Sequence, residues 1–319
     1  MTTARPLPEP DATALPELAG LARPRWRQDV PALWRDTSTI QFGDDVVVSR
    51  VSRVHLEWLS RLDGLHTVEQ LVDALVLPVN EARRLLRAML AAGALEDAAR
   101  IPDAVRWAPQ ELRDAAGRRF GAALRTTRDL DAAYDAMAAR DRVRVCVLGD
   151  GDLAAQVSEA VESAGLRLAS SPRQSTIAVL ADGLHPDVPA HFDHDLQDLA
   201  HLHVGVLGDR AVVGPLVVPG RTSCLRCAHL HRRDADPAWP LLAVQWAQAV
   251  AAMACPPVDP LLSRAAATHA LLLVRTWADT PDDPAAWGNC ALEVRLPLGQ
   301  ATWLARPSHA LCGCRWPQA

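Results

Sequence analysis

The sequence has no lysine; all 33 of its Lys+Arg residues are arginine. No side chain can therefore form a Schiff base or set an ammonium on a phosphate, which removes two common catalytic devices. Aromatic residues other than tryptophan are scarce, with 1 Tyr and 3 Phe beside 10 Trp. No apolar run reaches roughly 18 residues, the minimum for a membrane span. The opening MTTARPLPEPDATALPELAG has no apolar signal-peptide core either. Residues 1–22 are expected to be a disordered Pro/Ala-rich leader, and the chain to be cytoplasmic. An excess of one charge is also missing, since a formal net charge of -5 gives no general attraction to nucleic acid or anionic lipid. Seven cysteines, an odd count without a secretion signal, argue against a disulfide framework.

What is present is enough apolar sequence, 49% over 319 residues, for two ordinary domains. Residues 23–100 carry short strand patterns and then three helical ones. ALWRDTSTIQFGDDVVVSRV predicts strands broken at Asp36-Thr37 and at GDD. RVHLEWLSRL predicts a short amphipathic helix, and Thr67 with Gln70 a capping box. VNEARRLLRAMLAAG sets Val79, Ala82, Leu85, Leu86, Met89 and Leu90 on one face, with Gly93 as the stop. A small sheet with three such helices suggests a winged-helix α+β module. Residues 101–141 read as a helical connector. From 142 to 319, strands alternate with helices, which implies an α/β domain with parallel strands. Two helices there, WPLLAVQWAQAVAAMA and DPLLSRAAATHALLLVRTWAD, are apolar nearly all round. They are expected to be buried on the sheet or in a homodimer interface.

Two cysteine pairs carry the clearest chemistry. Cys224 and Cys227 form Cys-x-x-Cys, and Cys312 and Cys314 form Cys-x-Cys with a glycine between them. Together they supply the four thiolates of a closed structural zinc site. A redox pair, unliganded cysteines and a mixed site using His229 or His231 are the alternatives. The redox case needs a pair at a helix start after a strand, whereas the leading Pro-Gly-Arg-Thr-Ser looks more like a zinc knuckle. Cys146, Cys255 and Cys290 sit in apolar runs and read as core residues.

The second motif is GDGDLA, from Gly149 to Ala154, between a strand and a helix. Its context suits the glycine loop of a dinucleotide fold, with Gly149, Gly151 and Asp182 as candidate nucleotide contacts. Three features oppose a bound nucleotide such as ATP. Asp150 and Asp152 put carboxylates where phosphate would lie, RLASSPR has no acid for a ribose, and lysine is missing. His185, His191, His194, His201 and His203 are spaced loosely in a Pro/Asp-rich stretch and read as a solvated loop rather than a second metal site. Arg83, Arg84 and Arg87 on the third N-terminal helix raise DNA binding, but acids nearly balance the basic residues over 23–100. The strand with Val46, Val47, Val48 and Val51 offers a sheet edge beside that helix, which suits strand addition by an extended peptide. A purely structural docking module is the plainer alternative.

VVGPLVVPGRTSCLRC with a distant CGC, behind a strand, glycine loop and helix, resembles the ThiF/MoeB-like adenylyltransferases, relatives of ubiquitin-activating enzymes. The N-terminal pattern resembles a PqqD-like peptide-recognition element. Both together, with HALCGC, resemble the precursor leader-peptide-binding (cyclodehydratase partner) proteins of thiazole/oxazole-modified peptide biosynthesis. The resemblance implies a Rossmann-like domain with zinc on Cys224, Cys227, Cys312 and Cys314. It implies a non-catalytic scaffold that grips the leader of a ribosomal precursor peptide through Val46–Val51 and Arg83–Arg87. The core would be presented to a separate YcaO-type enzyme. An active adenylyltransferase of a peptide or carrier-protein C-terminus is one rival, and a winged-helix DNA-binding regulator is another.

Overall fold

A computed structural model describes residues 15–27, 29–101, 105, 107, 109–181, 196–252, 258–283 and 287–314. They form two compact units, Met1–Met137 and Ala138–Ala319.

In the first unit, β1 (Pro24–Trp26) pairs antiparallel with β5 (Leu95–Asp97). Between them in sequence lies an antiparallel meander of β2 (Ala32–Trp34), β3 (Thr39–Phe42) and β4 (Val46–Ser49), in that spatial order. Its breaks fall at the expected polar turns, and Ile40, Phe42 and Val48 alternate inward while Val47 faces out. Three helices cover the inner face: α1 (Arg53–Leu59), α2 (Val68–Asp73) and α3 (Val79–Ala91). The Thr67–Gln70 capping box is formed in both directions, at 3.4 and 2.9 Å. Ala82, Leu85, Leu86 and Met89 are buried as the helical period requires, but Val79, at the first turn, is exposed. Helices α4 (Gln110–Thr127) and α5 (Leu130–Arg142) follow.

The expected leader is only partly outside the described residues. Residues 15–22 are packed, with Leu15 and Leu18 fully buried and Leu21 nearly so. The apolar residues recur every third position over one 3-10 turn, Pro16–Leu18, a stripe hidden in the sequence by the surrounding Pro and Ala. Asp97 fastens the segment. Its carboxylate accepts from the backbone N–H groups of Ala22 (3.0 Å), Arg23 (2.9 Å) and Ala99 (3.0 Å). The Tyr134 hydroxyl accepts from the Asp97 N–H and donates to its carbonyl.

The second unit is a seven-stranded mixed sheet. It comprises β6 (Arg144–Leu148), β7 (Arg167–Leu168), β8 (Ile177–Ala181), β9 (Ala200–Leu207), β10 (Arg210–Val217), β11 (Cys290–Arg295) and β12 (Gln300–Ala305). The spatial order is β12-β11-β10-β9-β8-β6-β7. Strands β7, β6, β8 and β9 are mutually parallel; β9–β10, β10–β11 and β11–β12 are antiparallel. The expectation of a parallel sheet therefore holds for half of it. Only Gly208 and Asp209 separate β9 from β10, and a two-residue link allows a hairpin but not a crossover. Helices α6 (Asp152–Ser163), α7 (Leu225–Ala235), α8 (Trp239–Ala252) and α9 (Pro260–Asp279) complete the unit. The two apolar helices differ: α9 buries Leu262, Ala266, Ala270 and Val274 in the core, while Leu241, Val244 and Trp246 of α8 are exposed.

Candidate functional site

Four sulfurs converge in the second unit. Cys224 caps the N-terminus of α7 and Cys227 lies in its first turn. The preceding residues hold this turn in place. Thr222 Oγ1 accepts from Val218 N–H, Ser223 Oγ donates to the Arg306 carbonyl at 2.5 Å, and Ser223 N–H donates to Asn289 Oδ1 at 2.8 Å. The last two contacts reach the open end of the β11–β12 hairpin, where Asn289 and Arg306 are themselves hydrogen-bonded, and the chain beyond it delivers Cys312 and Cys314. Sγ separations are 3.9 Å for Cys224–Cys227, 3.3 Å for Cys224–Cys312 and 3.4 Å for Cys227–Cys314. All four lie within 4.8 Å of one another.

These distances fit one tetrahedral ion. With metal–sulfur bonds of about 2.3 Å, the sulfurs of a zinc tetrathiolate stand about 3.8 Å apart. A disulfide needs about 2.05 Å, and all four thiols are free. The pair does begin a helix after a strand, so the feature expected of a redox pair is present. What distinguishes the site is the second pair, which brings a further thiol onto each sulfur of the first. Sharing of protons among the thiols raises Cys224, and burial together with a bond to Cys227 raises Cys314. Cys227 is lowered because Cys224 donates to it and the His309 N–H points at its sulfur at 3.3 Å. A cation among the four would relieve this competition for protons.

A polar layer backs the cluster. His309 Nδ1 accepts from the Leu311 N–H at 3.1 Å, which leaves the proton on Nε2 to reach Asp234 at 2.8 Å. That hydrogen bond, then one from Arg233, lowers the Asp234 carboxyl. His231 Nε2 lies 3.1 Å from the Pro307 carbonyl and His229 Nδ1 accepts from Trp239 Nε1, so both rings are committed away from the sulfurs. His309 escaped sequence reasoning; its place three residues before Cys312 in SHALCGC was the available signal.

The glycine loop is built for close packing. A Cβ on Gly149 (φ +129°) would stand 2.2 Å from the Ala181 carbonyl oxygen, so the loop passes directly against the end of β8. Gly151 has a positive φ with open space around it, and Asp150 and Asp152 are exposed at the start of α6. Asp182, His185, His191, His194 and Cys255 lie outside the described residues. His201 and His203 do not belong to a solvated loop. They lie on β9, which begins at Ala200, and both are buried. Cys146 is buried and Cys290 half-buried, and burial raises both thiols.

In the first unit, β4 is an edge strand. Val46 is half-buried, Val47 exposed, and Val48 and Val51 buried. At 100° per residue the three candidate arginines of α3 fall within about 100° of arc, but their partners divide Arg83 and Arg87 from Arg84. Glu17 takes the first two, Oε1 accepting from Arg83 Nε at 3.1 Å and Arg87 Nε at 2.8 Å. Arg84 turns to β4 and donates to the carbonyls of Ser49 and Arg50, the latter at 3.1 Å.

Among solved structures, a heterocyclase in complex with substrate and cofactor superposes at TM-score 0.62 and 16% identity, over 92% of this chain and 39% of that one. The heterocyclase TruD gives 0.63 and 16%, over 92% and 42%. The chain thus spans about two fifths of the length of these heterocyclases. The microcin C7 biosynthetic enzyme MccB, in complex with N-formylated MccA, gives 0.57 and 11%, over 92% and 99%. At these identities the likeness is one of fold. No family model matches the chain, and no curated protein matches it. Among the described residues no helix is long and apolar enough to cross a membrane.

Proposed function

We propose that the chain is a non-catalytic scaffold that binds the leader of a ribosomal precursor peptide and presents its core to a separate YcaO-type cyclodehydratase. The observation that carries this is the edge of β4, which runs beside α3 and has no further strand paired to it among the described residues. In a strand, N–H and C=O of one residue point the same way and alternate between neighbours. The Ser49 carbonyl faces Arg84, so the N–H and C=O of Val47 face outward too, free to pair with an added strand. The meander and its three helices act as a winged-helix, PqqD-like recognition element. The second unit acts as a ThiF-like, Rossmann-related body closed by zinc on Cys224, Cys227, Cys312 and Cys314. A fold held in common with heterocyclases and with MccB supports a place in peptide modification. The exposed apolar side of α8 suits a homodimer, which light scattering would read as twice the chain mass of 34.5 kDa.

The test is fluorescence anisotropy with labelled leader peptides encoded beside the gene, using the full chain and Val47→Pro. Proline removes one outward N–H, a change that edge strands tolerate. Binding by the parent chain and a loss of about tenfold or more in the variant are expected. Equal binding by both would refute strand addition.

The likeness to MccB, an enzyme, favours adenylation as the second reading. Asp150, Asp152 and the missing lysine weigh against it, and ATP–pyrophosphate exchange with candidate peptides decides the matter.

A further inference from the structure

The β4 edge is electrically lopsided. Asp44 and Asp45 are exposed where the strand begins, and Arg50, Arg53 and Arg84 gather where it ends. Arg50 is exposed with φ 59°, Arg53 opens α1, and Arg84 reaches across from α3. The two neighbouring arginines of α3 have a carboxylate: Arg83 and Arg87 both bond Glu17. Among the described residues Arg50, Arg53 and Arg84 form no ion pair, and Arg84 has only backbone carbonyls for partners. One of these, the Ser49 carbonyl, is an acceptor that an added strand would use. Arg84 therefore blocks the last rung of the edge it borders.

We infer that the β4 edge selects an extended peptide with an aspartate or glutamate at its Ser49–Arg50 end, a specificity that rests on the strand-addition proposal. The peptide carboxylate draws the Arg84 guanidinium off the Ser49 carbonyl into a charge-assisted pair, with Arg50 and Arg53 adding to the local field. A backbone N–H of the peptide then takes the vacated carbonyl. Peptides without the acid must compete with Arg84 for that rung, and peptides with an acid at the other end meet Asp44 and Asp45. Arg84 is thus a specificity determinant, whereas Arg83 and Arg87 hold the chain's own segment.

A display library of random 12-residue peptides, selected on the full-length protein, tests this. Clones sensitive to Val47→Pro are the edge binders. They are expected to be enriched in Asp or Glu at one position. Replacing that acid by its amide is expected to weaken binding about tenfold in the parent chain and hardly at all in Arg84→Gln. Arg84→Asp, with a lysine at that peptide position, is expected to restore binding, and this guards against a variant that merely misfolds. Edge binders with no acidic preference, or with the same preference in Arg84→Gln, overturn the inference and leave strand addition standing. A selection that yields no edge binders removes both. Salt-sensitive binding of random-sequence duplex DNA that is lost in Arg84→Gln and unaffected by Val47→Pro would assign the arginines to phosphate and overturn the inference as well.

Discussion

Single residues with two partners at once are where the first unit is most exposed to change. Tyr134 is one of them. Its hydroxyl exchanges two hydrogen bonds with the Asp97 backbone, and the Arg100 guanidinium lies 3.9 Å over its ring. Burial, opposed in part by the Asp97 hydrogen bond, pushes the phenol up to about 12. An unfolded tyrosine titrates near 10. The phenol's contribution is therefore complete below pH about 10 and is lost as pH rises through about 12. Urea midpoints at pH 8 and pH 11.5 should fall further for the parent chain than for Tyr134→Phe, and the variant should lose about 1–2 kcal/mol at pH 8. An equal fall in both would show that Tyr134 is not the titrating group. At this scale the sequence was most informative for the thiols, because Cys-x-x-Cys and Cys-x-Cys restrict geometry by themselves. It was least informative for Arg83, Arg84 and Arg87. Helical spacing sets all three within about 100° of arc, and nothing local reveals Glu17, 66 residues before Arg83, as the partner of Arg83 and Arg87.

The elements were legible where one period dominated. The polar breaks at Asp36-Thr37 and GDD marked out strands β3 and β4, and the 3.6-residue stripe of α3 marked its buried face. Composition was a weak guide to two parts of the chain. Apolar α8 is largely exposed while apolar α9 is core, a difference set by tertiary placement and invisible to hydrophobicity. The Leu15–Leu21 segment is structural despite its leader-like composition. Removing residues 1–21 is expected to strip Leu15, Leu18 and Leu21 from the core and to strand Arg83 and Arg87 without Glu17. At about 2–5 kcal/mol per large buried side chain, with some relaxation, the first unit should lose most of its stability. Removing residues 1–14 alone leaves all of these contacts in place. Chemical denaturation of the two truncations compares them, and similar midpoints would mean that the segment is dispensable.

Over the whole molecule, the four-thiol cluster joins segments 88 residues apart in sequence. One zinc per chain is expected by elemental analysis. Thiols bind metal only after losing their protons, so acid should release it, and more completely as pH falls. Removal by a chelator at neutral pH, or Cys312→Ser, is expected to raise hydrogen exchange across α7 and the β11–β12 hairpin while β2–β4 stay protected. Unchanged exchange in α7 would mean that the four thiols close the site without help. The two-unit division and the mixed sheet were less legible than the cysteines. Strand direction depends on the length of each connection, and the Gly208-Asp209 link is too short a signal to stand out in an apolar run.

The 88-residue separation of Cys224 and Cys312 also sets a clock. Ribosomes add about 5–20 residues per second, so the first thiol pair is made roughly 4–18 s before the second. During that interval Cys224 and Cys227 are an open dithiol at the start of a helix. With zinc on the four thiols as proposed, scarcity of the metal or oxidative stress during synthesis would harm new chains more than finished ones.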